Sequence, residues 1–278
     1  AFMLRTHQQR REALLRCAEA GLVFIAHLED PELSAGGVMH AGALARALGV
    51  PGQPPETEVR CLEAWREAWD GPGPPPLHLA HVSTAATCAA LRDWRPGPSA
   101  ETAPHYLALT CEAVAQHGAN AKMNPPLRTE EDRQALLAAL RDGVITCIAT
   151  DHAPHTPQDK AQGLAQAPFG IVGLETALAV VWTALVQADA VPPRRAIEAL
   201  SSAPAAIFDL NAGRIAVGGP ADLVVFDPAA TWTVDPDQFQ SMGRNTPWAG
   251  CELTGRVRDV ILGGRVVVRD GELVAGRP

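Results

Sequence analysis

The stretch Thr150-Asp151-His152-Ala153-Pro154-His155 directly follows the apolar run VITCIA at 144–149. That run predicts a buried parallel strand, because it is continuous and rich in β-branched residues. A carboxylate and two imidazoles then stand at the carboxyl end of a core strand, where α/β proteins build their active sites. Pro154 interrupts any regular helix through these groups. We therefore expect a functional loop whose side chains point inward.

Composition limits the classes of protein that the chain can represent. Its 278 residues, 47% of them hydrophobic, can bury a large core in one barrel-sized domain or two smaller ones. The net charge of -8, with no clustered basic face, disfavours nucleic acid as a partner and favours a small molecule. No apolar run is long enough to predict a membrane span. Six scattered cysteines without a C-x-x-C pair predict reduced, mostly buried thiols and a cytoplasmic location.

The first candidate site follows a predicted strand at 22–26, which comes after a helix at 6–20 that Gly21 ends. His27 stands at the end of this strand, with Glu29 and Asp30 close behind it. An imidazole in that position is a good metal ligand, and the carboxylates can orient it or bind substrate. A hydrogen-bonded core histidine beside solvated acids is the alternative interpretation.

A second strand is predicted at 77–80, and it carries two histidines. Alternation places Leu77, Leu79 and His81 on one side of the strand and His78 on the other. We expect only one of the two histidines to face the site near the strand's carboxyl end. We choose His81 as the metal ligand because it is nearer that end, and we interpret His78 as structural.

Further candidates come from the irregular segments. His105, after a short strand at 99–102, either lines the site or packs in the core. Asn124 precedes two prolines, and a rigidly presented amide suits recognition of a planar amide or carboxylate, although asparagine before proline is also a common turn residue. The loop at 167–176 contains two glycines, which allow backbone groups to approach a ligand closely.

Strands alternate with helices, and functional groups follow successive strands, which is typical of an α/β barrel of the TIM type. Only about four of the eight strands of such a barrel are predicted. We therefore expect residues 1–212 to form a partial barrel, about strands 5–8 with their helices, and the chain to begin inside a fold. Residues 213–278 change to short β-rich runs with a hairpin turn at Gly263-Gly264, and we expect them to be the carboxyl-terminal part of a composite β-sandwich domain.

Several short sequence motifs, in the same order as in the family, resemble the carboxyl-terminal two thirds of class I dihydroorotases of the amidohydrolase superfamily. Allantoinases and dihydropyrimidinases share the architecture, but NPPLR and TDHAPH are similar to dihydroorotase words in particular. The words are HLEDPEL at 27, HVST at 81, ETAPHYL at 101, KMNPPLR at 122, TDHAPH at 150, APFGIVGLET at 167, ADLVVFD at 221 and NTPWAG at 245.

The resemblance implies a metal-dependent hydrolase with one or two zinc ions at the mouth of the barrel. His27 and His81 match the two histidines that bind the second metal. Asp151 matches the aspartate that ligates metal and serves as the catalytic acid/base. The implied reaction is the reversible hydrolysis of the cyclic amide of dihydroorotate to N-carbamoyl-L-aspartate in de novo pyrimidine biosynthesis.

The resemblance also implies substrate-binding positions and partners. Asn124 and His155 match substrate-binding residues, and the loop containing Pro168 and Gly170 matches one that supplies backbone contacts. Glu101 and His105 belong to the family motif ETAPHYL, but neither residue has a clear catalytic role. A homo-oligomer is expected, and aspartate transcarbamoylase is a candidate partner, whereas no nucleic acid and no membrane is expected.

The sequence departs from the family pattern in one respect. It contains no His-x-His-x-Arg word, no asparagine soon after one, and no bridging aspartate or carboxylated lysine. One interpretation is an incomplete piece of a normal enzyme, inactive in isolation and lacking the amino-terminal third. The alternatives are an inactive homologue that serves aspartate transcarbamoylase as a structural partner, and an allantoinase or dihydropyrimidinase-type cyclic amidase.

Overall fold

The computed structural model describes residues 4–274. Residues 1–3, where the chain is predicted to begin inside a fold, lie outside the described residues. The last four residues of the predicted β domain also lie outside them. Within residues 4–274, none of the helices combines the length and the apolar character that crossing a membrane requires.

The strands belong to a parallel sheet, a short parallel pair and an antiparallel sheet. The parallel sheet has the order β1-β4-β5-β6, the pair is β2-β3, and the antiparallel sheet has the order β10-β9-β8-β7. In chain order the strands are β1 (Phe24–His27), β2 (Met39–His40), β3 (Gly52–Gln53), β4 (Leu77–Ala80), β5 (Ser99–Thr102), β6 (Cys147–Ile148), β7 (Leu223–Thr233), β8 (Glu252–Leu262), β9 (Arg265–Arg269) and β10 (Glu272–Leu273).

Helices connect the parallel strands. A π-helical segment, Trp182–Val186, continues one of them, and short 3-10 helices cover Gly118–Ala121 and Pro236–Gln238. In chain order the α-helices are α1 (His7–Ala20), α2 (Pro31–Ser34), α3 (Ala43–Leu48), α4 (Glu56–Glu67), α5 (Ala85–Asp93), α6 (Pro104–Ala108), α7 (Ala113–His117), α8 (Glu130–Arg141), α9 (Pro157–Lys160), α10 (Gly163–Gln166), α11 (Ala177–Val181), α12 (Pro193–Leu200) and α13 (Ser202–Ile207).

Local signals in the sequence account for the ends of the main helices. The Thr6 side chain accepts a hydrogen bond from the backbone of Gln9 and forms a capping box at α1, which ends at Gly21 in the left-handed conformation. Thr129 and Asp132 form a second capping box at α8. The bounds of α1 confirm the helix predicted at 6–20.

The two faces of the parallel sheet differ in chemistry. Leu77 and Leu79 of β4 and Ala100 of β5 are fully buried in the core cluster that the helices cover. The other face carries His78, Ser99 and Glu101, since alternate residues of a strand point to opposite sides. The sheet therefore presents an apolar face to the helices and a polar face to the inside of the barrel arc.

Strand β6 is shorter than the predicted run of 144–149. Only Cys147 and Ile148 are regular strand, but Thr146 donates a backbone hydrogen bond to Ala100 at 2.8 Å and Ala149 donates to Thr102 at 3.0 Å, so pairing extends one residue each way. The chain then turns out of the sheet at Asp151. Four parallel strands confirm the predicted half of an α/β barrel.

The antiparallel sheet packs against α11 and the π-helical segment. Val180 of α11 and Leu253 of β8 share a small apolar cluster with Phe239. Gly263 and Gly264 have φ of 56° and 79° and connect β8 to β9 in a two-residue turn, as predicted. The carboxyl-terminal β segment thus has its own sheet and its own contact with the barrel helices.

Candidate active site

Two histidines from neighbouring strand ends meet at the centre of the candidate site. His27 is the last residue of β1, and His81 follows the last residue of β4. The His27 Nδ1 and His81 Nε2 atoms lie 2.8 Å apart, and the rings meet edge to face with centroids 4.6 Å apart. The structure therefore brings together the two residues that the sequence analysis predicts as metal ligands.

The alternation argument for His81 is wrong about the face of the strand. His27 is paired in register with Ala80, so it points to the same side as His78, and regular alternation would send His81 to the opposite side. The backbone of His81 is left-handed, with φ of 41°, and this turn returns its ring to His27. His78 of β4 and His81 directly after it thus both lie on the inner face, at different depths.

A buried carboxylate holds the turn that contains His81. Glu58 in α4 is only 1% exposed. It accepts hydrogen bonds from the backbone N–H of Ser83 at 3.0 and 3.1 Å, from that of Thr84 at 3.1 Å, and from both hydroxyls. Arg128 donates to the Ser83 hydroxyl at 3.3 Å. These contacts fix the backbone on the carboxyl side of His81.

Glu29 fixes the orientation of His27. Its carboxylate accepts a short hydrogen bond from His27 Nε2 and another from the Asn124 amide at 3.0 Å. The bond from His27 is the largest cause that holds the pKa of Glu29 down, at about 2. Because Nε2 carries the proton, the lone pair of His27 Nδ1 points toward His81. This carboxylate–histidine arrangement is typical of metal sites.

Asn124 belongs to a longer hydrogen-bonded chain. The Gln53 amide donates to Asn124 Oδ1 at 3.2 Å, and Arg128 donates to both the backbone and side-chain oxygens of Gln53 at 2.9 and 3.2 Å. A buried guanidinium therefore supports the amide indirectly. Asn124 is held beside the histidine pair and does not act only as a turn residue.

Asp151 stands at the exit of β6 and has a left-handed backbone with φ of 50°. Burial is the main cause that raises the pKa of Asp151, and the charge of Glu101 adds to it, while the charge of His27 opposes it. Asp151 is thus within electrostatic reach of both His27 and Glu101. A carboxyl group with a raised pKa is suited to take and return a proton.

His155 and Gly170 form a second hydrogen-bonded group. The His155 ring donates from Nε2 to the Phe169 carbonyl at 2.8 Å, and its backbone N–H donates to Asn245 Oδ1 at 2.9 Å. The Asn245 amide donates in turn to the carbonyls of Ala153 at 3.0 Å and Gly170 at 3.1 Å. A single side chain from the β segment thereby ties the two loops together.

Backbone contacts connect the two groups. The N–H of Gly170 donates to the carbonyl of Lys122 at 2.8 Å, two residues before Asn124. Gly170 has φ of 108°, and an added Cβ would lie 2.4 Å from that of Ala153, so the loop requires glycine there. The Pro168 carbonyl accepts from Lys160 Nζ at 2.9 Å. His152 Nδ1 accepts from the backbone of Gly173 at 3.1 Å.

His105 is buried beside the site. Its ring packs edge to face on Tyr106, with centroids 4.2 Å apart, and the Tyr106 hydroxyl donates to the Pro125 carbonyl at 2.6 Å. Burial, followed by the charge of His81, lowers the pKa of His105 to about 3. The structure therefore places His105 in the core behind His81.

The sequence analysis overlooked Glu58, Gln53, Arg128 and Asn245. Glu58 is one of several charged residues that stand between the apolar positions of α4. However, it precedes Leu62 by four residues and Trp65 by seven, so it lies on the apolar face. That spacing was the available signal for a buried carboxylate. The long-range partners of the other three gave no such local signal.

Comparison with known proteins gives the class of the chain. The model of the amidohydrolase family matches residues 77–267. The chain belongs to the amidohydrolase family. Its barrel half and its antiparallel sheet are those of this fold.

Two relatives show which members of the family this chain resembles. The dihydroorotase of Anaeromyxobacter dehalogenans (strain 2CP-C) is 45% identical over 270 residues, which are 94% of this chain and 61% of the relative. The dihydroorotase of Bacillus caldolyticus is 40% identical over 263 residues, again 94% and 61%. These relatives confirm the predicted resemblance to dihydroorotases, and the chain spans about 61% of their length.

Solved structures support the fold class. The L-hydantoinase (dihydropyrimidinase) of Arthrobacter aurescens has a TM-score of 0.83 and 26% identity, and the match covers 99% of this chain and 63% of that one. The dihydropyrimidinase of Brevibacillus agri NCHU1002 has a TM-score of 0.82 at 24% identity, with coverages of 98% and 62%. The latter likeness concerns the fold alone.

Proposed function

We propose that this chain provides the carboxyl-terminal part of the active site of a dihydroorotase, which hydrolyses the cyclic amide of (S)-dihydroorotate reversibly to N-carbamoyl-L-aspartate. The convergence of His27 and His81, 2.8 Å apart at neighbouring strand ends, is the observation that carries the proposal. The identity of 40–46% to proteins named dihydroorotase supports this substrate in particular.

The donor set fits a zinc ion. Two imidazole nitrogens face one another, Glu29 fixes the tautomer of one ring, and the other nitrogen of His81 is buried without a hydrogen-bond partner. We propose His27, His81 and Asp151 as ligands of one or two Zn²⁺ ions. The metal, when bound, would supply Lewis-acid activation of water and of the amide carbonyl.

The residues of the chain would perform the proton transfers. Water adds to the ring carbonyl carbon, the carbon–nitrogen bond of the ring breaks, and the nitrogen gains a proton. Asp151 would accept the proton of the attacking water and return it to the departing nitrogen. Because burial raises the pKa of Asp151, its carboxyl group can retain the proton between the two transfers.

The substrate would lie between the two hydrogen-bonded groups. Asn124 can present its amide to the planar ring, and His155 can donate to the substrate carboxylate when its bond to Phe169 opens. The carbonyls of Pro168 and Gly170 belong to the same loop and would complete the contacts, since a carbonyl can accept a second hydrogen bond.

The test is the hydrolysis and the ring closure of dihydroorotate by the full-length protein. We expect Asp151→Asn to lower kcat by about 10²- to 10⁴-fold, the usual range for loss of a general acid/base. Asp209→Asn is a matched control, because Asp209 has the same φ of 50° and is exposed. Unchanged hydrolysis in Asp151→Asn, together with less than stoichiometric zinc in the wild type, would show that the mechanism is wrong.

A cyclic amidase of the hydantoinase type is the second candidate, supported by the TM-score of 0.83 to L-hydantoinase at 26% identity. Turnover of hydantoin or dihydrouracil without turnover of dihydroorotate would favour it. Turnover of none of these, with binding to aspartate transcarbamoylase, would favour an inactive structural partner.

We also propose the domain boundary at 212/213, a homo-oligomer and a cytoplasmic location. The separate antiparallel sheet from β7 to β10 supports the boundary. Six free cysteines, four of them buried, support a reducing compartment.

A further inference from the structure

A second group of metal-binding side chains lies on the inner face of the parallel sheet. His78, Glu101 and Cys147 each offer one ligand atom, and these atoms all lie within 4.8 Å of one another. The sequence alone suggested a structural histidine, an acid without a clear role and a buried thiol. The fold brings the three together, whereas the sequence separates them by 23 and 46 residues.

Strand register explains why the three side chains meet. Glu101 and Cys147 are register partners on β5 and β6, and His78 pairs with Ser99, two residues before Glu101. Parallel neighbours in register point to the same side, so all three belong to the polar face. Because that face is formed by three adjacent strands, the positions of the ligands are set by the sheet itself.

We propose that His78, Glu101 and Cys147 bind a divalent cation of the Zn²⁺ class, at a site separate from that of His27 and His81. A thiolate, an imidazole and a carboxylate form a mixed S, N, O donor set that suits zinc more than magnesium or calcium. Two anionic ligands would balance the charge of the ion, which makes a buried position acceptable.

The observed distances are close to those that a zinc site needs. Tetrahedral coordination separates ligand atoms by about 3.3–3.8 Å, as follows from zinc bond lengths of about 2.0–2.3 Å. His78 Nε2 and Glu101 Oε2 are already 3.0 Å apart. The remaining ligand atoms are at most 4.8 Å apart, so a rotation that moves the sulfur by about 1 Å would complete three ligands.

The surroundings support metal binding. Ser99 Oγ lies 2.8 Å from His78 Nδ1, so the Ser99 hydroxyl can accept from Nδ1–H when an ion takes the place of the Nε2 proton shared with Glu101. His78 and Cys147 are fully buried, while the Glu101 side chain is 17% exposed and leaves a path for the ion and a position for water.

Cobalt substitution of the full-length protein tests the proposal. A thiolate bound to Co²⁺ gives an intense near-ultraviolet charge-transfer band, which the sulfur-free site of His27 and His81 cannot produce. We expect this band in the wild type and its loss in Cys147→Ser. Cys88→Ser is the matched control, because Cys88 is equally buried but lies on helix α5, and it should keep the band.

Further variants separate this proposal from the proposed function. His27→Ala should abolish dihydroorotate hydrolysis and keep the band, so the two hypotheses can fail independently. Ser99→Ala should weaken cobalt affinity by about tenfold or more. If Cys147→Ser does not fold, Glu101→Gln provides the same comparison and should lower the bound metal by about one ion. Absence of the band in the wild type, or its persistence in Cys147→Ser, would overturn the proposal.

Discussion

The chain leaves strands β4 and β6 through the same backbone conformation, but different side chains hold the two turns in place. We call the turn after β4 the first exit and the turn after β6 the second exit. His81 and Asp151 each follow a strand and adopt a left-handed conformation, with φ of 41° and 50°. Histidine and aspartate are among the few side chains that tolerate this region. The first exit is held by Glu58 from the adjacent helix α4, whereas the second depends on loops and on Asn245 from the β segment. One side of the site is therefore fixed by the barrel itself, and the other by the distant end of the chain.

The largest expected effect comes from removing the support of the first exit. Glu58→Ala leaves the backbone N–H groups of Ser83 and Thr84 buried without acceptors, and each orphaned donor costs about 1–3 kcal/mol. We expect the free energy of unfolding to fall by about 4 kcal/mol. Urea unfolding of the full-length protein measures it, with Glu67→Ala on the exposed side of the same helix as control. A loss no larger than that of the control would contradict the account of the first exit.

Asn245→Ala tests the second exit. The change removes one acceptor and two donors that join His155, Ala153 and Gly170. We expect a loss of about 2–3 kcal/mol of stability, because only one backbone N–H and two carbonyls lose a partner. KM for dihydroorotate should rise more than kcat falls, since the loops are proposed to bind substrate. Asn211→Ala, at an exposed position, should change neither quantity.

Gly170→Ala probes the close approach of the loops. The new methyl group meets the Cβ of Ala153 at 2.4 Å, and φ of 108° is strained for alanine. We expect a loss of about 2 kcal/mol. In the double variant with Ala153→Gly the clash is absent and only backbone strain remains, so part of the stability should return. If no stability returns in the double variant, the whole loss is due to backbone strain.

The smallest expected effect is a pH dependence at the second exit. Burial, followed by the charge of Lys122, lowers the pKa of Lys160 from 10.5 to about 8. The unfolded chain therefore binds more protons between pH 8 and 10.5, and the stability of the folded state rises with pH across that window. We expect a rise across this window that is absent in Lys160→Met. Urea unfolding of both proteins at several pH values measures the difference, and equal slopes would contradict it.

Local patterns predicted much of the fold. Strand β4 coincides with its predicted range, α1 ends at Gly21, and the hairpin at Gly263-Gly264 is present, because capping and turn chemistry depend on neighbouring residues. The family resemblance implied that His27 and His81 bind the same metal ion, and the 2.8 Å between their ring nitrogens is consistent with that expectation.

The supports of the site could not be predicted in the same way. Asn245 reaches residues that precede it by 75 to 92 positions, and no local pattern connects them. The face of His81 was predicted incorrectly because alternation applies only while the backbone remains extended. Long-range hydrogen bonds and single left-handed residues thus account for most of what the sequence left undetermined.

The position of Asn245 also affects the order in which the protein can mature during synthesis. A ribosome adds about 5–20 residues per second, so the 75 residues between Gly170 and Asn245 take roughly 4–15 s to make. Strand β4 and its Glu58 support are complete long before that time. The nascent barrel therefore carries the supported turn after β4 beside loops that still lack their Asn245 contacts, and under the proposed function the ability to hold substrate would be acquired only once Asn245 has been made.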